Sequence, residues 1–191
     1  MDNKKEPAMA AIRSEKTRGG EDLYIRPAVL SDARQLAAFG RKTFQDAFAR
    51  LHNKEDFDQY LSNAFSEDRI KSELSELTSF FFIAELSRQW VGYVKLAHTR
   101  PPGCVTKLPA VELARLYAAQ EYWGCGIGPA LIKTCTDFAR NHACRSIWLG
   151  SWKENHRGNR FYQKMGFEIT GTKTFVLGSD IQEDHVFIKV L

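Results

Sequence analysis

The feature that most constrains the fold of this chain is a glycine-rich turn, W-G-C-G-I-G, at residues 123–128. Gly124, Gly126 and Gly128 recur at every second position, so the backbone can bend tightly and approach a ligand without a Cβ in the way. The apolar pattern predicts a strand before the turn and an amphipathic helix after it. The unpaired N–H groups and the positive dipole end of that helix would face the turn. The sequence therefore predicts an anion site, with a phosphate or pyrophosphate as its natural occupant.

The spacing of these glycines excludes two common phosphate-binding motifs. A P-loop needs G-x-x-x-x-G-K-[ST], which the chain lacks. A dinucleotide fingerprint needs G-x-G-x-x-G after the first strand, with an acidic residue about 20 positions further on. Here the spacing is G-x-G-x-G, and the preceding strand is the fourth of the predicted strands.

The order of the predicted elements indicates an α/β fold with a mixed central sheet of about seven strands flanked by helices. Apolar, β-branched and aromatic clusters predict strands at residues 24–28, 80–85, 90–97, 111–118, 146–149, 167–175 and 185–191. Apolar residues recurring at three and four predict helices at about 31–48, 54–64, 67–77, 127–141 and 155–165.

The length and the net charge of the chain limit the number of domains and the kinds of partner that we expect. At 191 residues, the chain is the size of one ordinary domain plus a tail. Residues 1–22 are polar and charged without apolar periodicity, so we expect a disordered tail there and one domain at residues 23–191. The net charge of +4 comes without a basic cluster on one predicted face, so we expect no nucleic-acid partner.

Cysteine spacing and hydropathy give expectations about the environment of the protein. The four cysteines form no C-x-x-C or zinc pattern, and the histidines have no metal-like spacing, so we expect free thiols and no metal. No segment reaches the roughly 18 consecutive apolar residues of a membrane helix, and the start lacks the apolar core of a signal peptide. We therefore expect a cytoplasmic protein without a membrane partner.

Two motifs resemble those of a known superfamily. W-G-C-G-I-G resembles the Q/R-x-x-G-x-G/A signature of the Gcn5-related N-acetyltransferase (GNAT) superfamily, with Trp123 where Gln or Arg is usual. A second segment, at residues 148–167, reads W-L-G-S-W-K-E-N-H-R-G-N-R-F-Y-Q-K-M-G-F. It resembles the family segment N-x-x-A-x-x-F-Y-x-K-x-G-F, with Gly158 replacing Ala. E-L-A-R-L-Y and T-F-V-L-G-S-D-I-Q-E-D are similar to the PaiA-type bacterial spermidine/spermine N-acetyltransferases. The resemblance implies the GNAT fold from about Tyr24 to Leu191.

The resemblance also implies acetyl-coenzyme A as co-substrate. Backbone groups of Leu116, Tyr117 and Ala118 would pair with the pantetheine arm, and Asn155 would hydrogen-bond the arm from the other side. Lys164 is a candidate for a coenzyme phosphate, and the alternative is a solvated lysine at a helix end. The pyrophosphate would lie in the turn formed by Trp123, Gly124, Cys125, Gly126, Ile127 and Gly128.

The implied reaction is aminolysis of a thioester, which needs a base near the amine and an acid for the departing sulfur. Glu112 matches the catalytic glutamate of the histone-acetylating branch, and the alternative is a strand glutamate paired with Arg115 or a lysine. Tyr162 matches the family tyrosine that protonates the coenzyme A thiolate, and the alternative is a ring packed in the core beside Phe161.

The acceptor is implied only as a primary amine, with spermidine or spermine as one candidate. Carboxylates for a polyamine would come from the second and third helices, and the candidates are Glu55, Asp56, Asp58, Glu67 and Asp68. Such a charge run is also typical of a solvated helix face. Other acceptors are a protein N-terminus or lysine, an aminoglycoside or an amino acid, and a coenzyme A-binding regulator without turnover is a different class. A homodimer could form through an edge of the C-terminal strands.

Overall fold

The computed structural model describes residues 13–48, 54–177 and 180–191. The described residues form the strands β1 Arg13–Lys16, β2 Asp22–Pro27, β3 Ser79–Leu86, β4 Gln89–Ala97, β5 Ala110–Ala118, β6 Ser146–Trp152, β7 Glu168–Leu177 and β8 Asp180–Val190. They make one sheet in the order β1-β2-β3-β4-β5-β6-β8-β7. β5 and β6 run parallel, whereas the other neighbours are antiparallel. The predicted mixed α/β architecture is confirmed, with β1 as an additional strand.

Helices cover both faces of this sheet. The described α-helices are α1 Ala33–Phe48, α2 Lys54–Ala64, α3 Glu67–Ser75, α4 Ile127–Asn141 and α5 His156–Lys164. Tyr93 and Val94 are consecutive in β4 and therefore point to opposite faces. Tyr93 packs in an apolar cluster with α1 and α3, whereas Val94 packs in the cluster that contains α4. Phe161 of α5 packs against the α4 cluster, so α4 and α5 share one face and α1 to α3 lie on the other.

Local sequence explains where several helices begin and end. The hydroxyl of Ser66 caps α3 by accepting a hydrogen bond from the backbone N–H of Arg69. Asn155 caps α5 in the same way, accepting from Gly158 N–H at 3.0 Å. Gly166, which follows the end of α5, has φ +81°, a conformation that glycine adopts without a Cβ clash.

A separation of two central strands positions the site. β5 and β6 pair only through residues 110–112 and 146–148. Beyond these residues β5 continues to Ala118 and β6 to Trp152, but no further pairing joins them. A register shift between Lys95 and Leu96 in β4 accompanies the change in the course of β5. The second half of β5 therefore has an unpaired edge on the side of β6.

The N-terminal segment differs from its expected disorder where the structure describes it. Residues 13–16 form β1, which pairs antiparallel with β2. Arg18 N–H then donates a 3.1 Å hydrogen bond to Cys125 O, and Lys133 forms a 2.7 Å ion pair with Glu15. The partners of Arg18 and Glu15 lie more than a hundred positions away in sequence, so local composition did not predict these two contacts. Residues 1–12 of the expected tail lie outside the described residues.

The last strand is longer than the sequence predicts. β8 begins at Asp180 rather than at His185 and pairs with both β6 and β7. The mixed polar sequence before residue 185 lacks a strand signal of its own, and residues 180–183 take up strand conformation by pairing with β7. Gln182 and Asp184 consequently lie on the central sheet.

Other expectations concern the environment of the chain. No helix in the described part is long and apolar enough to cross a membrane. All four cysteines are free: Cys135 and Cys144 are buried, whereas Cys104 and Cys125 are partly exposed. In residues 13–48, 54–177 and 180–191, no three His, Cys, Asp or Glu side chains are grouped to hold a metal ion.

Candidate active site

A cleft of about 970 Å³ opens where β5 and β6 separate. The glycine-rich turn and α5 bound one end of it, and α1, α2, β7 and β8 bound the other. Every residue that the sequence assigned to the coenzyme or to catalysis lines this cleft, except Cys125. These residues are Glu112, Leu116, Tyr117, Ala118, Trp123, Gly124, Gly126, Ile127, Gly128, Asn155, Tyr162 and Lys164.

The glycine-rich turn has the geometry of an anion site. Gly124 and Gly126 have φ +87° and +96°, which a residue with a Cβ rarely adopts. Gly126 is the N-cap of α4, so the unpaired N–H groups of the first helical turn lie beside the cleft. A Cβ on Gly128 would lie 2.9 Å from Phe161 Cζ, so this glycine lets α4 and α5 approach closely. Three glycines thus bring a helix N-terminus to the cleft wall.

Trp123, at the position where the family motif has Gln or Arg, carries a cation on its ring. Its indole Nε1–H donates a 2.9 Å hydrogen bond to Ala118 O, which fastens the turn to the end of β5. The Arg157 guanidinium carbon lies 3.2 Å from the centre of the indole ring. Such a contact is a cation–π interaction. Arg157 therefore supplies a positive charge close to the position where the motif would have one.

Sequence reasoning missed several cations that line the cleft near the glycine-rich turn and α5. Arg18, Arg157 and Arg160 line the cleft together with the predicted Lys164. Arg157 and Arg160 are three apart on α5, so their spacing on one helix face could have identified them. Arg18 had no such signal, since it comes from the segment expected to be disordered. Cys125 does not line the cleft, and its carbonyl accepts the Arg18 hydrogen bond instead.

Two asparagines hold the start of α5 against the end of β6. The Asn155 side-chain oxygen caps the helix. The side chain of Asn159 donates to the carbonyls of Trp152 and Lys153 at 3.1 and 2.9 Å and accepts from Ser151 Oγ at 2.7 Å. A Cβ on Gly158 would lie 2.8 Å from Asn155 Cγ, so the replacement of the usual Ala makes room for this cap. Asn159 was not among the predicted site residues.

Tyr162 lines the cleft from the side of α4 and α5. Its ring packs edge-on against Phe161 and Phe167 at 5.4 and 5.8 Å, and against Phe187 at 5.8 Å. Burial raises the pKa of the phenol above its ordinary value. The two interpretations of this residue are thus compatible, because an aromatic packed in the core can also present its hydroxyl to a cleft.

Glu112 lines the cleft from β5. Thr99 Oγ1 donates a 2.7 Å hydrogen bond to its carboxylate. The alternative partner, Arg115, is held by Glu73, with distances of 2.7 Å and 3.1 Å from its two terminal nitrogens. Val111 and Leu113 on either side of Glu112 pack with α4, so Glu112 points to the opposite face, which carries α1 to α3.

The end of the cleft bounded by α1, α2, β7 and β8 has aromatic walls. Tyr60 packs 5.2 Å from Phe44 and 6.0 Å from Phe175, measured between ring centres, and Tyr117 lies 5.9 Å from Phe44. These rings come from α1, α2, β5 and β7. They line the cleft together with Asp184 and other residues that sequence reasoning did not select.

The acidic residues proposed for a polyamine lie elsewhere. None of Glu55, Asp56, Asp58, Glu67 and Asp68 lines the cleft. Asp58 pairs with Lys54 and Glu67 with Lys71, each at 2.7 Å on an exposed helix face. Asp56 borders a smaller neighbouring pocket. For Asp58 and Glu67, the interpretation as a solvated face agrees with the structure.

The cleft brings the two motifs together, since the glycine-rich turn and α5 both line it. The acetyltransferase (GNAT) family model matches residues 41–167, and the chain belongs to this family. It is an N-acetyltransferase, as are its relatives.

The relatives match over most of their length. An uncharacterised N-acetyltransferase of Mycobacterium tuberculosis (strain H37Rv) is 30% identical over 162 residues, covering 85% of this chain and 99% of the relative. Spermidine N(1)-acetyltransferase of Thermoplasma acidophilum is 23% identical over 156 residues, covering 78% and 91%.

A solved structure has the same fold. PaiA N-acetyltransferase from Thermoplasma acidophilum, in complex with coenzyme A, matches with a TM-score of 0.73 at 20% identity. The match covers 88% of this chain and 99% of that one.

Proposed function

We propose that this protein transfers the acetyl group of acetyl-coenzyme A to a primary amine by direct attack on the thioester. The observation that carries the proposal is the cleft between β5 and β6, which combines an unpaired strand edge with a helix N-terminus. An amide-containing arm fits the strand edge, and a pyrophosphate fits the helix start.

The coenzyme occupies the end of the cleft nearest α4 and α5. Its pantetheine arm pairs with the backbone of residues 116–118 and meets Asn155 from the other side. Its pyrophosphate lies against residues 123–128, and Lys164 contributes to a phosphate site with Arg18 and Arg157. Four cations along this end, counting Arg160, favour a ligand with several negative charges.

The reaction divides between the two faces of the sheet. The amine nitrogen attacks the thioester carbon and forms the C–N bond, and the C–S bond breaks. Glu112, on the face that carries α1 to α3, accepts the proton that the nitrogen releases. Tyr162, on the side of α4 and α5, gives a proton to the leaving thiolate. The products are the amide and the free thiol of coenzyme A.

A polyamine is the finer candidate for the acceptor. Its support is the similarity to a spermidine N(1)-acetyltransferase and to the PaiA structure. Protein amines, aminoglycosides and amino acids are the other candidates, and a coenzyme A-binding regulator is the alternative without turnover.

The test is thiol release from acetyl-coenzyme A with spermidine, spermine, monoamines, aminoglycosides, amino acids and short peptides. We expect amine-dependent release and an acetylated amine in the mass spectrum. Coenzyme A binding by calorimetry is the companion measurement. Binding without turnover of any amine would favour the regulator, whereas absence of binding would contradict the whole proposal.

We also propose a homodimer through the outer edge of β7, the last strand in the sheet order. Exposed apolar residues mark this end of the sheet, since Val176 is 57% and Ile181 74% exposed. Light scattering on the eluted protein checks the assembly. A monomer at all concentrations would refute it without affecting the chemistry.

A further inference from the structure

Gly150 of β6 lies beside two opposite charges in the cleft, at the end bounded by α1, α2, β7 and β8. An ideal Cβ on Gly150 would lie 2.8 Å from Lys173 Nζ and 3.0 Å from Asp184 Oδ2, and it would overlap the Lys173 side chain. Any residue larger than glycine would displace this lysine. All three residues line the cleft.

The position of the lysine follows from the sheet order. Lys173 lies on β7 and pairs across the strands with Asp184 on β8, while β8 lies between β7 and β6. To reach Gly150, the lysine side chain crosses over β8. Its Nζ also lies 5.5 Å from the centre of the Trp148 ring, and Trp148 is the last residue of β6 that pairs with β5. The ammonium group therefore lies close to the point where β5 and β6 separate.

Asp184 is an unusual carboxylate for a cleft wall. It is only 6% exposed, although it lines the cleft. Burial raises its pKa, although the charges of Lys173 and His185 partly oppose this effect. Burial raises the pKa of Tyr60 on the aromatic wall, and the charges of Glu73 and Asp184 add to this rise.

The two charges do not neutralise each other by direct contact. Among the ion pairs of the described residues, none joins Lys173 to Asp184. A buried carboxylate without an ion pair is costly, and a bound cation relieves that cost. The lysine beside it disfavours a ligand that brings only positive charges to this place.

We propose that the acceptor is a zwitterion, an α-amino acid with a large apolar or aromatic side chain. Asp184 binds the ammonium group, Lys173 binds the carboxylate, and the rings of Phe44, Tyr60 and Phe175 contact the side chain. This assignment rests on the proposed acetyl transfer. Amino acids are one of the acceptor classes left open by the sequence. The site favours them over polyamines, because the second ammonium group of a polyamine would lie near Lys173.

Matched acceptors test the carboxylate. Phenylalanine, phenylalaninamide, phenethylamine and spermidine are compared by kcat/KM on the full chain. We expect phenylalanine to be preferred over its amide and over phenethylamine by tenfold or more. Lys173→Met should remove this preference and leave the amide unchanged or improved, while Asp184→Asn should weaken all the aromatic acceptors. Lys71→Met on the exposed face of α3 is the matched control.

Several outcomes would overturn the inference. One is preference for spermidine or phenethylamine in the wild-type protein, and another is an equal loss for all acceptors in Lys173→Met. If no acceptor is turned over, calorimetry with phenylalanine separates the two proposals. If phenylalanine binds and Lys173→Met weakens that binding, the zwitterion site is retained and acetyl transfer to phenylalanine is rejected. If phenylalanine does not bind, the site itself is rejected.

Discussion

The backbone N–H of Arg18 donates a 3.1 Å hydrogen bond to the carbonyl of Cys125 and thereby joins the N-terminal segment to the glycine-rich turn. The same segment is anchored by β1 and by the ion pair of Glu15 with Lys133. Arg18 itself lines the cleft beside Gly126. A segment outside the recognisable motifs thus contributes a cation to the end of the cleft where we propose that the coenzyme binds.

We predict that Arg18→Ala weakens coenzyme A binding by about three- to tenfold, since one charge-assisted contact to a phosphate is lost. The effect should shrink as salt is raised, because added ions screen an exposed charge. Calorimetry at two ionic strengths measures both effects. Lys16→Ala on the same segment is the control, as its ammonium pairs with Asp22. An unchanged affinity in Arg18→Ala would remove this residue from the site.

Tyr162→Phe should lower kcat by about 10²- to 10⁴-fold, the usual contribution of a general acid. Coenzyme A affinity should be retained, because the ring that packs against Phe167 and Phe187 is unchanged. Stopped-flow thiol release and calorimetry measure the two quantities. Equal turnover in wild type and variant would show that another group protonates the thiolate.

The pH dependence gives an independent check on Tyr162. Since burial raises its pKa above the ordinary value of 10.0, the phenol stays protonated up to at least that pH. We therefore expect no loss of kcat from its ionisation below about pH 10. A fall in kcat centred well below that pH, absent from Tyr162→Phe, would contradict the assigned environment.

Glu112→Gln should lower kcat/KM by about 10²- to 10⁴-fold near neutral pH, because the amine loses its proton acceptor. Raising the pH should restore part of the rate, since more of the acceptor is then unprotonated. Thr99→Val, which removes only the 2.7 Å hydrogen bond to this carboxylate, should have a smaller effect. A pH profile of the variant parallel to that of the wild type would assign the base to another residue.

Glu73 is the centre of a buried charge cluster that stabilises the sheet. It is 1% exposed and binds Arg115 at 2.7 Å and Lys95 at 3.1 Å. Removing it leaves these two buried cations without their partner, and Arg69 also loses its 2.9 Å contact with the carboxylate. Glu73→Ala should therefore cost about 3–5 kcal/mol in the free energy of unfolding. Urea denaturation measures this value. Glu76→Ala on the same stretch is the control, and equal stability of the two variants would contradict the prediction.

The pKa of Glu73 gives the sign of the acid response. Burial raises that pKa, but the charges of Arg115 and Lys95 outweigh the burial and hold it below its ordinary value. Because the pKa of Glu73 is lower in the folded state than in the unfolded state, its ionised carboxylate stabilises the fold at pH values above the unfolded-state pKa. This stabilisation is lost as the pH falls through the folded-state pKa. The wild type should therefore lose stability in acid below about pH 4.5, and Glu73→Ala should lose less.

Local sequence by itself determined the glycine-rich turn, the helix that follows it and the caps of the later helices. Each depends on residues a few positions apart: Gly126 with α4, Asn155 with Gly158, and Gly166 with the end of α5. The alternation of Val111, Glu112 and Leu113 likewise indicated a strand with two different faces. The motifs carried by these elements were sufficient to identify the family.

Tertiary structure alone decided which distant residues meet at the cleft. Arg18 reaches the turn through the pairing of β1 with β2, and Lys173 reaches Gly150 by crossing β8. Likewise, Arg115 forms its ion pair with Glu73 and not with Glu112, because α3, which carries Glu73, packs against this face of the sheet. Strand register and helix packing depend on contacts summed over the whole core. The local sequence around a residue therefore does not indicate which distant residue it contacts.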